Sequence, residues 1–221
     1  MQSANINSLK PHAACFFRDV DTANQHVLCF QETWLIPQDL EPEIKNFSCI
    51  RTDNKTSSPR HRHGGLLMYI RHDLRVINHY EHKDVDLEYQ KVLLSHVHDN
   101  SLRLMIISLY NNPQTSIRSF MRNLEMLLQT VPENIPTFIC GDFNIDMSSS
   151  RKTKRDLIKL SSYYGFCQQV HQSTHCRGGV LDLVFTNRCV QDSVLNVMPT
   201  FYSDHMIVSF AVPFLCLTHK M

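Results

Sequence analysis

Thr137–Asp146 reads TFICGDFNID. A β-branched residue and three apolar ones (Thr137–Cys140) stop at Gly141, and a carboxylate, an aromatic ring and an amide follow at once. A short apolar run closed by turn-forming residues reads as a strand, and a continuous run reads as one covered on both faces. The same reading extends to Val27–Phe30, Leu66–Ile70, Lys91–Val97, Leu102–Leu109, Val180–Phe185 and Met206–Val212. Between these runs the period changes. Ile117, Phe120, Met121, Leu124, Leu127, Leu128 and Val131 share one helical face, with Ser116 placed as a cap. Further helices are predicted over Thr153–Tyr164, stopped by Gly165, and over Pro11–Val20. Strands alternating with helices define an α/β domain with layered sheets.

Working outward, polar clusters recur at strand ends. Gln31-Glu32-Thr33 follows one strand, Gly141-Asp142-Phe143-Asn144 another, Tyr110 ends a third, and Ser203-Asp204-His205 precedes the last. Turn chemistry explains one such cluster; several within one domain point to a rim that carries a site. Hydrolysis of a phosphodiester needs this set of groups. Hard oxygen ligands must hold a divalent cation against an anionic substrate, and Glu32, Asp142, Asp204, Asn5 and Asn144 can supply them. A base must orient or deprotonate water. A cationic donor should face the phosphate, and His205 serves if a carboxylate keeps it protonated. Asp182, inside the apolar LDLVF, needs a compensating partner and is the candidate.

Composition limits the partners. The 221 residues suffice for one large domain, taken as 1–221, and carry a net charge of +1, so nucleic acid would have to be met by a local basic patch. Arg51–His63 (RTDNKTSSPRHRH), with Arg51, Lys55, Arg60 and Arg62, is the first candidate, and Arg151–Arg155 (RKTKR) the second; a solvated loop is the bland reading of each. No apolar run is long enough for a membrane span, and Met1–Lys10 lacks a secretory core, so a nuclear or cytoplasmic protein without a membrane partner is expected. Eight cysteines without CxxC pairs, including Cys29, Cys140 and Cys167 in apolar runs, read as buried reduced thiols. HQSTHC (His171–Cys176), with His61 and His63, gives no zinc set at the usual spacing. Trp34 reads as structural.

Seven blocks then stand in a telling order: NINSL (Asn5–Leu9), QETWL (Gln31–Leu35), HGGLLMYI (His63–Ile70), LYNNPQ (Leu109–Gln114), GDFNID (Gly141–Asp146), LDLVFTN (Leu181–Asn187) and SDH (Ser203–His205). Together they resemble the endonuclease/exonuclease/phosphatase superfamily over nearly the whole chain. QETWL, GDFNID and LDLVFTN look most like the endonuclease domain of LINE-type retrotransposons. The resemblance implies a four-layer sandwich, two packed and mostly antiparallel sheets with helices outside. It also implies roles. Glu32 would bind Mg2+ or Mn2+ with Asn5 and Asp204 near it. Asp142 would orient or deprotonate water, and Asn144 would hold that water or the oxyanion. His205, oriented by Asp182, would contact the phosphate, and Tyr110 would donate its hydroxyl there. DNA is the implied partner.

The chain departs from the family pattern in two places. Four residues precede Asn5, which makes the expected first strand short, and LYNNPQ keeps only Pro113, which loosens the loop after Tyr110. No reverse transcriptase pattern follows, so a lone endonuclease domain is expected. Two other classes stay open: another phosphoesterase of the same fold (abasic-site endonuclease, RNA nuclease, inositol or lipid phosphoesterase), and a catalytically inactive remnant serving as an interaction module.

Overall fold

In the computed structural model, residues 1–12, 24–53, 63–84, 86–187 and 194–211 are described. Apolar runs make the inner strands: β2 (Val27–Gln31), β4 (Leu66–Arg71), β6 (Glu88–His96), β7 (Asp99–Tyr110), β8 (Thr137–Asp142), β10 (Asp182–Thr186) and β12 (Ile207–Ala211). β1 (Gln2–Asn5) is short, as expected, yet lies inside its sheet. Four further strands, absent from the sequence reading, are β3 (Phe47–Thr52), β5 (Leu74–Lys83), β9 (Cys167–Gln168) and β11 (Val194–Met198). One sheet runs β11-β12-β1-β2-β4-β3 and the other β5-β6-β7-β8-β10-β9. Each has a single parallel pair, β1/β2 and β7/β8; the other neighbours are antiparallel. The expected packed, mostly antiparallel sheets are therefore present.

Alternation explains why β2 is apolar throughout. Val27 and Cys29 enter the larger core with Val92, Ile107 and Phe138, whereas Leu28 and Phe30 enter a second cluster with Ile6, Leu9, Leu35, Ile44 and Tyr202. Burying each such large side chain contributes roughly 1.5–3 kcal/mol. Two α-helices among the described residues pack on each other and on the second sheet. α1 (Ile117–Gln129) buries Phe120, Leu124, Leu127 and Leu128, and Phe120 meets Phe143 edge-on. Ser116 occupies the predicted cap position, but its hydroxyl makes no capping bond. α2 (Lys152–Tyr163) closes at Gly165, whose φ of +74° suits glycine. Of the helix expected over Pro11–Val20, a single 3-10 turn at Lys10–His12 is seen; residues 13–23 lie outside the described set. No helix among the described residues is long and apolar enough to cross a membrane. Cys29 and Cys140 are buried and free, but Cys167, expected inside, is exposed because it lies on an edge strand.

Candidate active site

The site begins as a row across the second sheet. Register sets Glu88 beside Tyr110, Tyr110 beside Asp142, and Asp142 beside Asp182. Gly141 permits the close approach of β8 to β7: a Cβ there would lie 1.9 Å from the Leu109 carbonyl oxygen, and its φ is +139°. Asn5, at the end of β1 on the opposing sheet, bridges the two sheets. Its Nδ2 donates to Asp142 Oδ2 at 2.9 Å and to Glu32 Oε1 at 2.8 Å. Glu32 sits just past β2 with φ of +53°, a left-handed backbone that a non-glycine residue holds only when its surroundings fix it. Trp34 Nε1 donates to Glu32 Oε2 at 3.0 Å, so this tryptophan does more than fill the core.

Asp142 is fully buried and surrounded by donors. Its Oδ1 accepts the Asn144 backbone N–H at 2.9 Å, and its Oδ2 accepts Asn144 Nδ2 at 3.1 Å. His205 Nε2 stands 4.0 Å from the same Oδ2. Burial, then the neighbouring Asp182 charge, raise the Asp142 carboxyl to about 7, although His205 and Asn5 pull the other way. His205 Nδ1 is 2.8 Å from Asp182 Oδ2. Burial lowers the imidazole, but the Asp182 hydrogen bond and the charges of Asp182, Asp142 and Asp204 outweigh it and lift His205 to about 9. Asp182 Oδ1 is buried with no hydrogen-bond partner. Tyr110 is buried too; burial and the adjacent Glu32 and Asp142 carboxylates push its hydroxyl far above its ordinary range, so it stays protonated.

The structure thus brings together Asn5, Glu32, Tyr110, Asp142, Asn144, Asp182 and His205. Asp204 faces a different group: its half-exposed carboxylate meets His175 Nε2 at 3.3 Å. Several residues at the site escaped the sequence reading. Asn111 anchors the Asn144 loop, its carbonyl accepting Asn144 Nδ2 at 2.7 Å and its own Nδ2 donating to Phe143 O. Thr174 Oγ1 accepts the backbone N–H groups of Leu181 and Asp182, each at 2.9 Å. His175 packs edge-on to His205 with centroids 4.9 Å apart. Ser203 Oγ donates to Asn5 O at 2.8 Å. Asn111 lay one position beyond the tyrosine already singled out; Thr174 and His175 lay in the HQSTHC tract set aside for its spacing.

The basic candidates divide. Lys55, Arg60 and Arg62 lie outside the described residues. Arg51 uses all five of its N–H groups internally, on Asp53, Glu41 and the carbonyls of Ile36 and Asp39. The expected phosphate contact at Arg51 is therefore corrected to a structural role. In the second tract, Arg151 and Lys154 line a polar cavity of about 200 Å³ that also includes Asn144 and Asn111.

Two carboxylates and an imidazole lie with ligand atoms within 4.8 Å of one another at Asp142, Asp182 and His205, and two imidazoles and a carboxylate do so at His175, His205 and Asp204. Comparison with known proteins follows the same lines. The model of the endonuclease/exonuclease/phosphatase family matches residues 3–205. Similar solved structures include the endonuclease domain of TRAS1, a telomere-specific non-LTR retrotransposon (14% identity, 96% of this chain and 97% of that one, TM-score 0.69). An AP endonuclease from Archaeoglobus fulgidus also matches (14%, 96% and 99%, TM-score 0.70). So does the 3′ phosphatase NExo from Neisseria bound to product DNA hairpin (13%, 97% and 100%, TM-score 0.68). Comparison with curated protein sequences gives no match.

Proposed function

We propose that this chain, which belongs to the endonuclease/exonuclease/phosphatase family, is a divalent-metal-dependent phosphodiesterase that nicks DNA as a retrotransposon endonuclease does. The observation that carries the reading is Asp142: a buried carboxyl near neutrality, held by two asparagines, 4.0 Å from an imidazole that is charged at the same pH.

The donors suit a hard cation. Glu32 offers carboxylate oxygens that Asn5 orients by donating to Oε1 at 2.8 Å, and Glu32, Asp142 and Asp182 together place more negative charge at the site than His205 balances. Glu32, with its carboxylate oriented by Asn5 and Trp34, would hold a Mg2+ or Mn2+ ion, which when bound neutralises charge on the phosphate. The protein's own groups do the rest. Asp142 accepts a proton from the attacking water, a task for which a value near 7 is matched. Asn144 holds that water against Asp142. Asp182 fixes the proton of His205 on Nδ1, so the charged ring turns its Nε2–H to a phosphate oxygen. The Tyr110 hydroxyl donates to the same phosphate. The water oxygen bonds to phosphorus as the bond from phosphorus to the leaving O3′ breaks; that oxygen takes a proton from solvent water and becomes a 3′-hydroxyl, while the other strand end keeps the phosphate.

DNA is favoured as substrate by the blocks shared with retrotransposon endonucleases and by the cationic cavity of Arg151 and Lys154 beside Asn144. Purified protein should convert supercoiled plasmid to open circles with Mg2+ or Mn2+, more slowly as salt rises. Undiminished nicking in excess EDTA would remove the metal, and faster turnover of sphingomyelin or an inositol phosphate than of any DNA would remove the substrate.

A further inference from the structure

The loop that delivers Asp204 and His205 also carries the most exposed ring among the described residues. Phe201 is 93% exposed, whereas its neighbour Tyr202 is 7% exposed and tilts against His12 at 5.9 Å. The loop between them is pinned. The Thr200 hydroxyl lies 2.9 Å from His205 O and 3.1 Å from Ser203 O, and accepts the Ser203 N–H at 3.2 Å. Ser203 Oγ in turn accepts the His205 N–H at 3.1 Å and donates to Asn5 O. With Thr200 fastened on one side and Tyr202 buried on the other, Phe201 is held out from the surface. Four residues reach at most about 14 Å, so the ring stands within a few nucleotides of a phosphate held by His205.

We propose that Phe201 is a stacking platform for a nucleobase flanking the cleaved phosphate. The proposal rests on the reading of the chain as a DNA-cleaving enzyme. A phenyl ring offers no hydrogen bonds and no charge, so it discriminates by apolar area and π-face alone. A phosphodiester strand fixed at His205 brings such faces within reach, and base–aromatic stacking tolerates any base. Pro199 and Thr200, which precede the ring, add no charge that would direct it to an ionic partner.

The test uses the full chain carrying Asp142→Asn, to block turnover, with Mg2+ and a short DNA strand containing 2-aminopurine. Binding should quench the 2-aminopurine. Adding Phe201→Ala should abolish the quench and weaken binding by about 5- to 100-fold, and Phe201→Trp should restore both. A strand of base-free sugar-phosphates should bind the Phe201 and Ala forms alike. Equal quench and affinity after Phe201→Ala, where the unsubstituted chain with Asp142 intact nicks plasmid, would overturn the stacking role and leave the DNA reading standing. A loss that is as large on the base-free strand would assign Phe201 to the loop rather than to a base, and overturn it as well. A parent chain that neither nicks plasmid nor binds the strand would remove both readings together.

Discussion

Two polar clusters in this molecule have similar ingredients and opposite states. Around Arg51, two carboxylates and two carbonyls meet five N–H donors, and every donor has an acceptor. Glu41, held by its own backbone amide and by Arg51, ionises more readily than usual. Around Asp142, three carboxylates meet one imidazole, Asp142 is raised to about 7, and Asp182 Oδ1 is left without a partner. The first cluster is neutralised where it stands and fastens the segment after β2 to β3. The second holds more carboxylate than its single imidazole can neutralise, an excess that suits a divalent cation on the reading proposed above. Imbalance, more than the presence of charge, separates a site from a brace.

The largest effect should come from Asp142→Asn. If the imbalance serves proton transfer, nicking falls by about four orders of magnitude or more while DNA binding persists, as single-turnover assays and a binding titration would show. Normal turnover would make Asp142 a second brace. Next is Asp182→Asn, expected to cost roughly two to four orders of magnitude in rate. Combined with His205→Ala it should be little worse than His205→Ala alone, because the two act as a unit at 2.8 Å. Multiplicative losses in a protein with normal circular dichroism would return Asp182 to a structural acid.

Arg51→Ala should do the reverse. It leaves two part-buried carbonyls and two carboxylates unmatched, so denaturant unfolding should show a loss of about 1–3 kcal/mol. The nicking rate at saturating DNA should stay within about twofold. A large catalytic loss without a change in stability would erase the distinction drawn above.

A further effect is on pH. Asp142 has a folded value raised from its ordinary 3.8 to about 7, so the metal-free protein should lose stability as pH climbs through that window, when the buried acid is forced to ionise. His205 is raised to about 9, so its contribution is complete below its ordinary 6.5 and lost as pH rises through 9. Thermal melts in EDTA should therefore fall in two stages, the lower one absent in Asp142→Asn and the upper one absent in His205→Gln. A melt that is flat from pH 4 to 9 would contradict both shifts.

The strands that could be read from sequence and those that could not differ by position. VLCF, LLMYI and TFIC are buried on both faces, and continuous hydrophobicity announced them. The four strands that were missed, β3, β5, β9 and β11, are the four sheet edges. β5 shows why: LRVINHYEHK is mostly exposed and changes register between Val76 and Asn78, so neither a run nor a clean alternation survives. The site was legible where reactive residues interrupt apolar runs, as at Glu32, Asp142 and Asp182. Thr174 and His175 were not, because their partners are backbone groups and side chains far along the chain. Arg51 misled for the same reason: its own stretch is basic, and Glu41 and the Asp39 carbonyl close on it from an earlier segment.

The placement of β1 has a consequence in time. Its four residues pair with β2 on one side and with β12, some two hundred positions later, on the other. Asn5, which ties Asp142 to Glu32, is itself held by Ser203. Such distant closures are slow, since loop entropy must be overcome before any contact rewards it. During translation the opening strand waits for the closing one, and the acid, amide and imidazole come into register only when the last strand of the sheet has emerged from the ribosome. A nascent chain therefore carries most of the sequence of the site before it can carry the site itself.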